Sequence, residues 1–182
     1  INESSRSKFY NFDESPLAVN SNFKQPNLAK TLFMISKKGA DIFYKGEIAN
    51  WITEESLSNG GLITSDDMAS YEAKYRDPIE TNYRGFRIVS MAPAASGGLV
   101  LLQTLNILEN FDLKRFGHNS AKSIHILSEA MQRAYADRAE YHGDPDFYKV
   151  PVDQLLNKNY SSDLSKNIRE ERTPDGQILK VI

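Results

Sequence analysis

Met91 to Leu108 reads MAPAASGGLVLLQTLNIL. A proline and small residues lead into Ser96 and the Gly97-Gly98 pair, and the chain then turns almost wholly apolar. Apolar residues on every side of a helix-length run mark a helix buried on most of its surface. The segment before it admits three readings: a nucleophile on a tight turn, an anion cradle, or a close-packed entry into a core helix. A nucleophile elbow asks for G-x-S-x-G after a strand, whereas the residues here are A-A-S-G-G and no partner base accompanies them. Free N–H groups at the helix start attract anions, but every helix start offers them. The preferred reading is that Ser96 caps the helix and the glycines let backbone pass close by.

Outward from that helix, the chain reads as mainly α with one hairpin. Residues 1–26 are rich in Ser, Asn and Asp, lack helical periodicity, and read as a loop or flexible arm. The helical region spans 27–168. Pro26 opens a helix over Asn27–Lys38 with Leu28, Leu32 and Ile35 on one face and Gly39 as its stop. A second helix is expected from about Asp41 to Leu57, with Ile48, Trp51 and Ile52 inward and Asn59-Gly60-Gly61 ending it. Thr64 or Ser65 caps a third, followed by acidic residues that suit the helix dipole. Asp77-Pro78 breaks the pattern. Residues 79–90 alternate on either side of Arg84-Gly85 and read as a β-hairpin.

After the core helix, Asn119 or Ser120 caps a long helix ending near Tyr141. Its inward face is expected to carry Ile124, Leu127, Met131, Ala134, Tyr135 and Arg138. Gly143-Asp144-Pro145 stops it. Short helices are expected over Val152–Leu156 and Tyr160–Ile168. Residues 169–182 read as a truncated tail: GQILKVI alternates like the start of a strand, and the chain opens on Ile1 with no signal segment, so it is expected to be a piece of a longer protein.

Composition narrows the function classes. The chain has 182 residues, 40% hydrophobic and 25% charged, which suits a soluble globular domain. A net charge of -2 gives no electrostatic case for nucleic acid or an anionic membrane. Lys37-Lys38 and Arg169-Glu170-Glu171-Arg172 are too short and too mixed to form a nucleic-acid patch. There are no cysteines, which removes disulfides and thiol chemistry. No apolar run approaches the roughly 20 residues that span a bilayer.

Two further constellations carry charge. His118, His125 and His142 stand seven and seventeen residues apart, whereas zinc-binding pairs on a helix sit three or four apart, so no metal site is assigned. The stretch AMQRAYADRAEYHGDPDF (Ala130–Phe147) is dense in ionisable groups. Arg133, Asp137 and Arg138 could hold a ligand carboxylate, but such spacing more often forms pairs along a helix face, and a structural network is the preferred reading. From residue chemistry alone no catalytic set, substrate-binding set or cofactor site assembles.

Several segments together resemble the γ-glutamyltranspeptidases: NFKQPNLAKTL (Asn22–Leu32), GADIFYKGEIA (Gly39–Ala49), NGGLITSDDMASY (Asn59–Tyr71), YRGFRIVSMAPAASGG (Tyr83–Gly98), LNILENFDL (Leu105–Leu113), GHNSA (Gly117–Ala121) and the Ala130–Phe147 stretch. They occur in the family's order, over roughly 22–160, and correspond to the C-terminal half of its large subunit. The family shows a P-P-P-S-S-G-G type segment where this chain has Ala92–Gly98, with Ala95 in place of one serine.

The resemblance implies part of a four-layer α-β-β-α N-terminal-nucleophile hydrolase, cut from one precursor. It implies transfer of a γ-glutamyl group from glutathione or a similar amide to water or an amino acid. The partner is a small subunit that begins with the nucleophilic threonine of a T-T-H-like motif. That motif is absent here, and Thr173-Pro174 does not match it. The family's glutamate-binding arginine belongs to the earlier half of the large subunit, so no catalytic or substrate-binding residue carries over and the chain alone is expected to be inactive. A periplasmic or secreted location is implied, and no cofactor. Two rivals stay open: a non-catalytic helical binding or scaffolding module of the same shape, and a γ-glutamyl-polymer depolymerase or acylase relative.

Overall fold

The computed structural model describes residues 3–170. These form two units that divide between Lys74 and Tyr75. The secondary structure is mainly helical with one antiparallel hairpin.

The first unit holds five helices. The stretch expected to be loop carries a short helix, α1 (Glu3–Phe9), and an isolated bridge between Tyr10 and Pro16. Phe9 packs against Phe23 at 5.5 Å between ring centroids, a contact that no periodicity announces. Helix α2 (Pro26–Lys38) begins at its proline and ends at Gly39, whose φ of 71° suits glycine. The single helix expected over 41–57 is instead two, α3 (Asp41–Tyr44) and α4 (Glu47–Ser58), parted at Gly46. A Cβ on Gly46 would lie 2.8 Å from Ile42 Cδ1 and 2.9 Å from Ile42 Cα, so only glycine lets the chain fold back here. Ile48 is buried as expected. Trp51 faces outward, and Ala49 and Thr53 fill the inner face. Helix α5 (Ser65–Ser70) starts with a reciprocal cap: Thr64 Oγ1 accepts from the Asp67 N–H, and Asp67 accepts from the Thr64 N–H at 2.8 Å.

The second unit is built around α6 (Ser96–Leu108). Leu99, Val100, Leu102, Ile107 and Leu108 are buried, and each such side chain contributes roughly 1.5–3 kcal/mol of transfer free energy. Strands β1 (Ile79–Tyr83) and β2 (Phe86–Ser90) pair in the register Ile79 with Ser90 and Tyr83 with Phe86. Arg84 and Gly85 both have positive φ, 51° and 87°, the mirror-image turn that matches strand twist. Asn106 of α6 ties the hairpin down, accepting from Thr81 Oγ1 at 2.8 Å and donating to the Leu156 carbonyl at 3.1 Å.

A short helix that sequence reading passed over, α7 (Leu113–Phe116), follows, capped by Asp112. Helix α8 (Ala121–Tyr141) is capped by Ser120, as expected. Of its six expected inward residues only Ala134 is buried, and Arg138 is exposed. Ile124, Leu127, Met131 and Tyr135 are 53, 42, 40 and 50% exposed. The buried residues are Ile126, Glu129, Ala130, Arg133, Ala134 and Asp137. The physical reason is polar: Glu129 and Arg133 pair with each other, and Arg133 and Asp137 reach further partners on neighbouring elements. Helix α9 (Val152–Leu155) and helix α10 (Lys158–Lys166) close the unit. The latter starts two residues before its expected Tyr160 because Asn157 Oδ1 accepts from the Asn159 and Tyr160 N–H groups. Ile107, Leu108, Ile126, Ala130 and Ile168 form the shared core. The strand start expected at 176–182 lies outside the described residues.

Candidate functional site

The polar groups gathered between α6, α8 and α10 are the strongest candidates for a site. Asp137 is 3% exposed. It accepts from Gln103 Nε2 of α6, and the Tyr160 hydroxyl of α10 donates to both its oxygens at 2.9 Å. Burial raises the Asp137 carboxyl above its usual range, and the Gln103 and Tyr160 hydrogen bonds oppose that shift. Burial also pushes the Tyr160 phenol upward, helped by its bond to Asp137, so its proton stays in the bridge. The triplet joins three helices.

Arg133 makes a second internal set. Its Nη1 donates to Glu129 Oε2 at 2.8 Å and to the Glu129 carbonyl at 2.9 Å. Its Nε and Nη2 donate to the carbonyls of Leu164 and Asn167, each at 3.1 Å. Both ionic partners are 3% exposed at the side chain. The structure thus assigns Arg133 and Asp137 to internal networks.

Ser96 is not the helix cap. Ala95 occupies that position without a side-chain bond, and Ser96 is the first helical residue. Its Oγ accepts from Arg138 Nε at 2.9 Å, joining α6 to α8. The glycines beside it differ. A Cβ on Gly98 would overlap the Met91 carbonyl oxygen, whereas one on Gly97 meets nothing within 4 Å. Gly98 therefore provides the close backbone entry, and Ser96 provides a tether.

The histidines do different things. His125 Nε2 bonds the Arg169 carbonyl at 2.8 Å, and both ring nitrogens of His142 are buried without a partner among the described residues. Among the described residues, no three His, Cys, Asp or Glu side chains gather as a metal-ligand set, and no helix is long and apolar enough to cross a membrane. Sequence reading passed over Gln103, Glu129 and Tyr160. Glu129, four residues before Arg133, was the one detectable signal.

A γ-glutamyltranspeptidase family profile matches residues 2–180. The chain belongs to the γ-glutamyltranspeptidase family. It is 49% identical over 166 residues to the glutathione hydrolase proenzyme of Escherichia coli K12, a match covering 91% of this chain and 28% of that protein. It is 38% identical to the acylase ACY 1 proenzyme of Pseudomonas sp. SE83, over 86% of this chain and 28% of the relative. Against the crystal structure of Helicobacter pylori γ-glutamyltranspeptidase the TM-score is 0.83 at 43% identity, covering 96% of this chain and 50% of that one. The chain therefore spans little more than a quarter of the length of its curated relatives. Its solved neighbours are N-terminal-nucleophile hydrolases.

Proposed function

We propose that this chain is part of the large subunit of a γ-glutamyltransferase and glutathione hydrolase, and that it is inactive by itself. The observation that carries the reading is the match of the family profile over residues 2–180 in a sequence that contains no Thr-Thr-His. The nucleophile belongs to a small-subunit partner that begins with threonine. In the complete enzyme the threonine hydroxyl attacks the γ-amide carbonyl, its free amine takes the proton, and backbone donors hold the oxyanion. The amine leaving group departs, and water or an amino acid then accepts the γ-glutamyl group.

This chain supplies the support rather than the chemistry. The Gln103–Asp137–Tyr160 and Arg133–Glu129 networks lock α6, α8 and α10 in one arrangement, and rigid backing is what a precisely placed nucleophile requires. The enzyme works outside the cytoplasm, periplasmic or secreted. The test is to express the whole reading frame and sequence the polypeptide N-termini. A second chain beginning with threonine, together with turnover of a γ-glutamyl anilide that this chain alone lacks, is the expected result. A single uncut chain without turnover would instead favour a scaffolding module. The acylase relative at 38% identity supports a second reading, in which a non-glutamyl amide is cleaved faster than the γ-glutamyl anilide.

A further inference from the structure

Helix α4 ends in Ser58-Asn59-Gly60-Gly61, which holds the one Asn-Gly pair in the sequence. All four residues are exposed. The Asn59 amide folds back on the last turn. Its Nδ2 donates to the Glu55 carbonyl at 2.8 Å, to Glu55 Oε1 at 3.1 Å and to Ser58 Oγ at 3.3 Å. The backbone bonds beside it are longer. The Asn59 N–H reaches the Glu55 and Ser56 carbonyls at 3.3 Å, and the Gly60 N–H reaches the Leu57 carbonyl at 3.2 Å, at or beyond the far end of the usual range. The side chain therefore latches this end of the helix more tightly than the backbone does. The chain beyond is tied to Ser56, whose carbonyl accepts from the Gly61 N–H at 2.7 Å and whose Oγ accepts from the Ile63 N–H at 3.1 Å.

An asparagine followed by glycine carries its own reaction. Glycine has no Cβ to shield its nitrogen, so that nitrogen can reach the side-chain carbon of the asparagine. Two restraints oppose this at Asn59. The Gly60 N–H must leave the Leu57 carbonyl, which is a long bond. The Asn59 amide must leave Glu55, which holds it through a carbonyl and a carboxylate, and bonds to a charged group are the stronger kind. The product is a worse cap than the starting amide. A carboxylate accepts and does not donate, so the Glu55 carbonyl loses its side-chain partner. The new charge stands four residues from Glu55, where like charges repel, and at a helix C-terminus, where the dipole disfavours it.

We propose that Asn59 is a self-modification site that deamidates through Gly60, with Glu55 as the positioning residue that holds it back. The Gly60 nitrogen adds to Asn59 Cγ and gives up its proton. The N–Cγ bond forms, the Cγ–Nδ2 bond breaks, and ammonia leaves with that proton. Water then opens the cyclic imide to aspartate or isoaspartate, and no other co-reactant is needed. Loss of ammonia makes the step one-way. It unlatches the end of α4 and the turn that Ser56 holds. The inference is independent of the γ-glutamyl reading above.

The experiment incubates the complete enzyme in mildly alkaline buffer and follows each asparagine by peptide mass spectrometry, beside the urea-unfolded chain and thermal melting. In the folded enzyme Asn59 is expected to convert before every other asparagine, yet about tenfold or more slowly than it does unfolded, because several hydrogen bonds must first be given up. Glu55→Ala removes one of them and should speed the folded reaction by about threefold, with the unfolded rate unchanged. Glu55→Gln keeps an acceptor for Nδ2 and should stay at the unaltered rate. Asn59→Asp places the product's charge directly, and deuterium exchange at the Gly61 and Ile63 amides should quicken by about threefold or more. Another asparagine converting first, or Asn59 unconverted in the folded enzyme, would overturn the site. Equal rates for Glu55→Ala and the unaltered enzyme would overturn the role of Glu55. So would faster conversion in both Glu55 variants that tracks a fall in melting temperature. Unchanged exchange in Asn59→Asp would overturn the unlatching.

Discussion

Helices α6 and α8 lie side by side in the second unit and follow opposite rules. Helix α6 hides its apolar residues and leaves Leu101 as its one large exposed hydrophobe. Helix α8 hides Glu129, Arg133 and Asp137 and shows Ile124, Leu127, Met131 and Tyr135. At about 100° per residue, the apolar seam of α8 stands roughly half a turn from its buried face. Burying an unpartnered charge is far more costly than exposing a leucine, so an inward charged face requires that every group be satisfied. Here Arg133 and Asp137 are, each with partners on more than one element. The contrast teaches that one helix is placed chiefly by hydrophobic burial, while its neighbour adds a specific polar fit to the core contacts of Ile126 and Ala130.

Breaking the polar fit should have the largest effect. Glu129→Ala leaves the Arg133 guanidinium buried without its counter-charge, and losing one partner of a buried pair costs about 3–5 kcal/mol. Arg133→Ala should cost as much, since it also strands the Leu164 and Asn167 carbonyls. Urea unfolding of the complete enzyme measures both, and losses below about 1 kcal/mol would mean that α8 is not held by this pair. Next in size is the entry to α6. Gly98→Ala drives a methyl into the Met91 carbonyl, an overpacking cost of roughly 1–3 kcal/mol. Gly97→Ala meets open space and should be neutral or stabilising by about 0.5 kcal/mol. The same unfolding curves decide it, and equal losses at both positions would refute the close-approach account.

Much of the fold was legible because it rests on local signals. The Pro26 start, the Thr64 and Ser120 caps, and the Arg84-Gly85 turn each follow from a backbone requirement that one or two residues meet. The orientation of α8 was not legible, because periodicity reports which face is apolar and not which face has partners. The partners lie far away in sequence: Gln103 and Tyr160 are 34 and 23 positions from Asp137. The division of the expected 41–57 helix was hidden for a similar reason, since Gly46 is demanded by a contact with Ile42 rather than by its own turn. As for the site, Arg133, Asp137 and Arg138 were visible as a charged group, but only the Glu129–Arg133 pair follows from spacing, while Asp137 and Arg138 bond residues of other helices.

The exposed seam of α8 offers a milder test. Four large side chains at 40–53% exposure form a stripe on one helix, and stripes of this kind favour association. The isolated chain should bind an apolar dye and self-associate in sedimentation. Leu127→Lys combined with Met131→Lys should reduce both, while shifting unfolding by no more than about 0.5 kcal/mol each, as surface substitutions do. A monodisperse, dye-free isolated chain would show that the seam is not adhesive and would narrow the difference between the two helices.

The smallest expected effect concerns pH. The folded Asp137 carboxyl has its pKa raised above the ordinary 3.8, with burial as the main cause. A raised folded pKa means that the native state binds this proton more tightly than the unfolded chain does. Asp137 therefore favours folding most below pH 3.8, and that advantage falls as pH rises through the raised folded value. Other carboxylates act in the reverse sense: Glu109, held low by Lys158 and the Arg84 N–H, stabilises above its unfolded pKa and loses that contribution in acid. The Asp137 slope is thus a small opposing component within the acid limb of the stability curve. Asp137→Asn keeps an oxygen to accept from Gln103 and Tyr160 and removes the titration. Subtracting its urea-unfolding free energies from those of the unaltered enzyme, point by point across the acid range, should leave a difference that falls with rising pH and then levels off. A difference that rises with pH would mean that the Gln103 and Tyr160 bonds outweigh burial. The buried face of α8 would then be stabilised by its charge, and the two helices would differ even more than their side chains imply.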